Sequence, residues 1–184
     1  KPDDTWRTNF AMGGGCLNEY GPHLIDLCNF IFGPVADVGR VAIEKVYSTR
    51  GDDRLSLDWT HASGVAGEMA LDWCDDTKRK SVIQIEVTCE TARLYIDNSY
   101  FKVERLGAGD DGPEPSPLAD EGLPNVTYYL RGEEFTLQLE DFFGRVFGRN
   151  LGMKPFAPDQ ASTLADGVEV DRLIDVIARK GGLK

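Results

Sequence analysis

The stretch that decides the fold is Gly13-Gly14-Gly15-Cys16-Leu17-Asn18-Glu19-Tyr20-Gly21-Pro22-His23-Leu24-Ile25-Asp26-Leu27, which runs on to Phe32. After the glycines, apolar residues recur every three or four positions, which predicts a helix with one buried face. These residues are Leu17, Tyr20, Leu24, Leu27, Cys28 and Ile31. Gly33-Pro34 predicts the end of the helix. Because Pro22 lies inside the pattern, the helix either kinks there or begins its main part near Pro22.

Three polar residues share one face of this predicted helix. Glu19, His23 and Asp26 follow one another at spacings of four and three, so a helix stacks their side chains. Imidazole has an unperturbed pKa of about 6.5, and a neighbouring carboxylate can fix its tautomer and favour the imidazolium. The pattern therefore indicates a proton-transfer site, and the alternative is a solvated helix face that carries three polar residues.

The segment from Gly13 to Asp26 resembles the motif that opens the second domain of one enzyme family. This is the glucose-fructose oxidoreductase, inositol dehydrogenase and rhizopine-catabolism (Gfo/Idh/MocA) family of NAD(P)-dependent oxidoreductases, whose motif is close to Gly-Gly-Gly-x-Leu-x-Asp-x-Gly-x-His-x-Ile-Asp. The resemblance implies that His23 transfers the proton and that Glu19 and Asp26 contact or orient His23 and the substrate. Glu19 stands where the family usually has Asp, which lengthens the side chain by a methylene.

Two further residues are candidate substrate ligands together with Asp26. Trp6-Arg7 precedes the glycine triplet, and a Trp-Arg pair often does so in the resembling family, so Arg7 is expected to reach a substrate hydroxyl or carboxylate. The alternative is a solvated Arg7 packed on Trp6. Asn18, beside Glu19, completes the predicted substrate-binding set.

The composition excludes several classes of protein. The chain has 184 residues, enough for one domain with a core, and its net charge of −11 argues against nucleic acid or an anionic membrane as partner. No apolar run is long enough to span a bilayer, and we expect a cytoplasmic protein. Four cysteines without a C-x-x-C pair and only two histidines predict reduced core thiols and no metal site. The cysteines are Cys16, Cys28, Cys74 and Cys89.

From Val35 to Leu106 the apolar period changes to two, which predicts about six strands of a mostly antiparallel sheet. One face of these strands is apolar and the other is polar. The connection His61-Ala62-Ser63-Gly64 is predicted as a hairpin turn, with His61 as a surface residue of that turn. Residues 107–125 are predicted to form a mobile, acidic loop rich in Pro and Gly.

Two helices are predicted after this loop, and both are expected to cover the sheet. The first, Glu133 to Phe147, has a Phe-rich stripe interpreted as core. The second, Asp159 to Arg179, has Asp159 as its predicted N-cap and ends at Gly181-Gly182. Its predicted buried stripe consists of Leu164, Ala165, Val168, Ile174 and Ile177.

The predicted fold is α+β, an open, mostly antiparallel sheet of about six strands with helices on one face. We interpret residues 1–184 as a single C-terminal substrate-binding and oligomerisation domain with a linker-like start at 1–12. The resemblance implies an NAD or NADP cofactor bound mainly by a preceding Rossmann domain that this chain lacks, so the chain looks like a fragment. We expect this chain alone to bind no nicotinamide cofactor, because no segment is expected to supply a glycine turn that feeds a helix N-terminus.

The resemblance further implies hydride transfer to or from a secondary alcohol of a sugar, cyclitol or related polyol. The alternatives are a non-catalytic assembly module and a sugar-binding module, each with a vestigial site. A homodimer or homotetramer is expected to form through the open sheet face, because the resembling family commonly pairs in this way. That face carries Thr60, Glu68, Ala70, Gln84, Glu86, Thr88 and Tyr95.

Overall fold

The computed structural model describes residues 5–78, 81–97, 100–106, 125–129, 134–148 and 162–184. The chain forms two compact units, one from Lys1–Thr77 with Ala157–Lys184 and one from Lys78–Phe156. The helices are α1 (Cys16–Phe32), α2 (Glu134–Phe147) and α3 (Leu164–Lys180). The strands are β1 (Val35–Glu44), β2 (Arg54–His61), β3 (Ala66–Asp72), β4 (Gln84–Thr88), β5 (Ala92–Asp97), β6 (Tyr100–Arg105) and β7 (Asn125–Tyr129).

Helix α1 is a single helix that contains Pro22 in its interior and ends at Gly33, as the glycine predicts. Its buried face follows a four-residue step through Leu17, Gly21 and Ile25. Leu27 and Ile31, predicted to be part of that face, are exposed. Because each residue turns a helix by about 100°, Leu27 points some 200° away from Ile25.

The first unit packs α1 and α3 on one face of the antiparallel sheet β1-β2-β3. The side chains of β2 alternate as predicted, with Leu55, Leu57 and Trp59 buried, and those of β3 do the same at Met69 and Leu71. These residues form one core with apolar side chains of both helices. On the opposite face lie the exposed residues Thr60, Glu68 and Ala70. Helices on one face of a half-buried sheet are confirmed for this unit.

Helix α3 starts later than predicted. Thr163 is its N-cap and forms a capping box with Asp166. The Asp166 N–H donates to the Thr163 hydroxyl, and the Thr163 N–H donates to the Asp166 carboxylate. Asp159 is therefore not the N-cap. The predicted buried stripe is correct only at Ile174 and Ile177, since Leu164 and Val168 are exposed. The buried face is instead completed by Val170, Leu173 and Ala178.

The second unit contains the antiparallel sheet β4-β5-β6-β7 and helix α2. The α+β, antiparallel fold class is confirmed, but the strands form two sheets instead of one. Polar residues such as Asp75-Asp76 and Lys78 separate the apolar alternation of β3 from that of β4. Strand β7 was not predicted, and Asn125, assigned to the acidic loop, is its first residue. The rest of that loop lies outside the described residues.

Helix α2 begins one residue after its predicted start, and its apolar stripe is exposed where its side chains are described. Leu139, Phe142, Phe143 and Val146 are 39–58% accessible. The expectation that this stripe is core is therefore wrong for these residues, because periodicity identifies an apolar face without identifying what covers it. None of the described helices is long and apolar enough to cross a membrane.

Candidate functional site

The glycine triplet allows the N-terminal segment to pack closely against the start of α1. A Cβ atom on Gly14 would lie 2.3 Å from the carbonyl oxygens of Trp6 and Arg7. Gly15 has a φ of +97°, and its N–H donates to the Arg7 carbonyl at 2.7 Å. Glycine is therefore required at both positions, and the triplet fixes Trp6 and Arg7 beside the first turn of the helix.

The N-terminus of α1 is capped by a residue from the β1–β2 connection. Asp52 is fully buried, and its Oδ2 atom accepts hydrogen bonds from the Leu17 N–H at 2.7 Å and the Cys16 thiol at 3.1 Å. The Asp52 carbonyl oxygen accepts a third bond, from the Cys16 N–H at 3.0 Å. A Cβ on Gly15 would lie 1.9 Å from Asp52 Oδ1. The helix start is thus held from outside the helix.

Helix α1 places the three predicted polar residues in different surroundings. Glu19 is half-buried and lines a cleft, whereas His23, one turn further along the helix, is exposed. Asp26 accepts a hydrogen bond from the Ser162 hydroxyl at 2.8 Å and lines a separate cavity of about 310 Å³. Of these three residues the structure therefore brings only Glu19 into the lining of the cleft, whereas His23 and Asp26 lie outside it.

The cleft has a volume of about 1110 Å³ and lies within the first unit. Two of the predicted site residues, Glu19 and Arg7, line it together. Four aromatic side chains contribute to its wall, and Tyr20 meets Trp73 edge to face at 6.3 Å between ring centroids. The other lining residues are Thr5, Trp6, Tyr47, Asp53, Cys74 and Asp76. Aromatic surface combined with a few polar groups is typical of small-molecule sites.

Asp53 is an almost fully buried acid at the edge of this cleft. Its carboxylate accepts hydrogen bonds from the Tyr47 and Ser48 N–H groups, both at 2.7 Å, and from the Ser48 hydroxyl at 2.6 Å. Burial acts to raise the pKa of Asp53, but the hydrogen bonds from Ser48 and Tyr47 outweigh it and leave the pKa below its usual range. Asp53 therefore carries a negative charge near neutral pH.

The remaining predicted ligands have contacts of their own. The Arg7 guanidinium carbon lies 5.6 Å from the centre of the Trp6 ring, the packing that was the alternative interpretation of this pair. The Asn18 amide donates to the Gly14 carbonyl at 2.8 Å, which further secures the glycine turn. Substrate contacts by Arg7, Asn18 and Asp26 remain predictions.

His61 is buried at 2% exposure, so its assignment as a surface turn residue is wrong. Its Nδ1–H donates to the Gly33 carbonyl at 2.6 Å, and its ring packs against Phe32 and Trp59. The hydroxyl of Ser63 likewise donates to the Phe32 carbonyl at 2.7 Å. The hairpin thus caps the C-terminal end of α1.

Sequence reasoning missed Asp52 and Asp53, and it did not assign the aromatic residues Tyr47 and Trp73 to the site. Acids in a short connection are usually solvated, and no local spacing links Asp52 to Leu17 at the helix start, 35 residues earlier in the sequence. His61, in contrast, extends the buried alternation of β2 by one step, so the signal for its burial was present.

The four cysteines are free thiols, but not all of them are core residues. Cys16 is buried, Cys28 and Cys74 are partly buried, and Cys89, which directly follows β4, is exposed. Burial, and secondly the charge of Asp52, raise the pKa of the Cys16 thiol. Among the residues that the structure describes, no group of three His, Cys, Asp or Glu side chains is arranged to bind a metal ion.

Comparison with known proteins establishes the family. Residues 1–95 match the model of the GFO/IDH/MocA C-terminal domain. The chain belongs to this family, as the motif from Gly13 to Asp26 predicted. No curated protein matches the chain.

Solved structures share the fold at low identity. An oxidoreductase domain protein from Kribbella flavida matches at 19% identity and a TM-score of 0.65, over 97% of this chain and 52% of that one. Levoglucosan dehydrogenase in complex with NADH matches at 17% identity and a TM-score of 0.66, over 99% and 53%. The WlbA dehydrogenase from Bordetella pertussis, in complex with NADH and UDP-GlcNAcA, matches at 15% identity and a TM-score of 0.58, over 95% of this chain and 46% of that one. The chain therefore spans about half the length of these proteins.

Proposed function

We propose that this chain is the substrate-binding half of an NAD(P)-dependent oxidoreductase that transfers hydride between nicotinamide and a secondary alcohol of a sugar, cyclitol or related polyol. The observation that carries the proposal is the position of Glu19, a residue of the family motif, in an aromatic-lined cleft. Two dehydrogenases of similar fold support the same class of reaction. The structure of one contains NADH with levoglucosan, and that of the other contains NADH with UDP-GlcNAcA.

The proposal assigns the proton transfer to His23. Its side chain is exposed, and within the described part of the chain it makes no hydrogen bond that would hold its proton. Glu19 lies one helical turn away, a spacing at which a carboxylate can orient an imidazole or a substrate hydroxyl. Arg7 and Asn18 lie next to the same helix start and would contact other substrate oxygens. Asp26 accepts a hydrogen bond from Ser162, the residue before the N-cap of α3. This contact supports a second role for Asp26, in holding α1, in addition to the proposed contact with a substrate hydroxyl.

The cofactor is assigned mainly to residues outside this chain. One expectation needs correction, because Gly13–Gly15 do form a glycine turn that feeds a helix N-terminus. However, the Gly15 and Leu17 N–H groups already donate within the protein, and the buried Asp52 carboxylate occupies the place of an anion. The start of α1 therefore does not fit a pyrophosphate. The nicotinamide, when bound, supplies the hydride acceptor, and the residues of this chain bind and orient the alcohol.

The experiment is a turnover measurement on the full-length enzyme with His23→Ala. Loss of a general base typically lowers the rate by about two to four orders of magnitude, and cofactor affinity should not change. Leu27→Ala, one turn further on the same helix, is the matched control and should keep near-native turnover. Equal turnover in native enzyme and His23→Ala would refute the role of His23. Polyol binding without any turnover would instead favour the sugar-binding module.

A further inference from the structure

The charges around the cleft are unbalanced. Among the described residues that line it, Glu19, Asp53 and Asp76 are acids and Arg7 is the one base. The guanidinium of Arg7 lies over the Trp6 ring. No second arginine or lysine stands beside it in this lining, so the described wall lacks the paired cations that usually bind phosphate groups.

The three acids of the cleft interact with a ligand in different ways. Asp53 keeps its charge because Ser48 and Tyr47 donate hydrogen bonds to it, and at 1% exposure it acts on a ligand through its field alone. Glu19 and Asp76 are more accessible and can accept hydrogen bonds from hydroxyl or amino groups. In a partly enclosed cleft, such charges repel an anion more strongly than they would in open water.

The aromatic residues supply the other part of the recognition. Trp6 and Tyr47 are 52% and 56% exposed, and Trp73 is partly buried against the core. These side chains present flat apolar surface beside accessible carboxylates. A ring with an apolar face and hydroxyl groups around its edge matches both features.

We propose that this cleft selects a hydroxylated ring that carries no negative charge, and that it discriminates against phosphorylated and carboxylated forms of the same ring. This inference rests on the proposed function, since it specifies the substrate class of the same site. Amino-substituted rings are accepted, because an ammonium group is attracted by the same carboxylates and by aromatic faces.

The test is a titration of the chain followed by tryptophan fluorescence. Trp6 and Trp73 line the cleft and Trp59 is buried in the core, so a ligand in the cleft perturbs the first two. The probes are glucose, glucosamine and glucose 6-phosphate. We expect glucose and glucosamine to bind at least about tenfold more tightly than glucose 6-phosphate at low ionic strength, and added salt to narrow the difference.

Two charge reversals make the comparison specific to the cleft. Asp76→Lys should improve the affinity for glucose 6-phosphate relative to glucose by about tenfold. Asp37→Lys makes the same change of charge on β1, outside the cleft lining, and should leave this ratio unchanged. Tighter binding of glucose 6-phosphate than of glucose by the native chain would overturn the inference and leave the proposed function standing. Failure of all three probes, together with no polyol turnover by the full-length enzyme, would overturn both.

Discussion

The Oδ2 atom of Asp52 accepts a 2.7 Å hydrogen bond from the backbone N–H of Leu17, across 35 residues of sequence. This contact gives α1 a cap that its own N-cap residue, Gly15, cannot supply, because glycine has no side chain. The helix that carries Glu19 and His23 therefore depends on the β1–β2 connection for its position.

Asp52→Ala should lower the free energy of unfolding by about 1–3 kcal/mol, since it leaves the buried Leu17 N–H and the Cys16 thiol without their acceptor. Asp52→Asn is the matched variant, because its amide oxygen can still accept the bond from Leu17. It should lower the free energy of unfolding by less than Asp52→Ala does. Urea denaturation measures both. Equal stability of Asp52→Ala and the native protein would mean that the cap contributes nothing.

Two glycine substitutions should have opposite effects. In Gly14→Ala the new Cβ would clash with the Trp6 and Arg7 carbonyls, so we expect lower stability and displacement of both residues from the cleft. In Gly167→Ala, on the exposed first turns of α3, the Cβ meets open space. That variant should gain about 0.5–1 kcal/mol from helix propensity. Thermal unfolding compares the two, and a stabilising Gly14→Ala would contradict the packing described for the triplet.

The pH dependence of stability should include a contribution from Asp53. Its pKa is lower in the folded protein than in the unfolded chain, so its stabilisation is present above the unfolded pKa of about 4 and is lost as the pH falls through the folded pKa. Denaturation of the native protein and Asp53→Asn from pH 7 to pH 2.5 checks this. The difference between them should be constant above about pH 5 and shrink below pH 4. A difference that grows on acidification would reverse the assigned sign.

Self-association through the polar sheet faces remains a proposal, supported by the exposure of Gln84, Glu86 and Thr88 on β4. Light scattering at micromolar concentration should show a dimer or tetramer, and Thr88→Lys should shift it towards the monomer, because it places a charge in the interface. Gln138→Lys adds the same charge at an exposed position of α2, off the sheet faces, and serves as the comparison. A native monomer would remove the proposed role of the face.

Local patterns predicted most of the elements. Helix α1 and strands β2 and β3 follow from the three-to-four and two-residue periods of their apolar residues, which arise from the geometry of each element alone. The family motif likewise lies within one short segment, from Gly13 to Asp26. These parts required no information about distant contacts.

The cleft depended on contacts between segments that are distant in sequence. Tyr47 and Asp53 come from the β1–β2 connection, and Trp73 directly follows β3. They converge with Arg7 and Glu19 only after the sheet has formed. Nothing in the spacing of these residues records that convergence. The start of α3 was also misplaced, because a Thr163–Asp166 capping box competes successfully with an earlier acid as the N-terminal signal.

Asp52 and Asp53, the adjacent acids of the β1–β2 connection, limit how far the length of this connection can vary in evolution. Asp52 bonds to the helix start, while its neighbour Asp53 bonds to Tyr47 and Ser48. Inserting or deleting one residue here would misalign both sets of bonds at once, so the length of this connection is constrained. Insertions and deletions among homologues should therefore avoid residues 51–53.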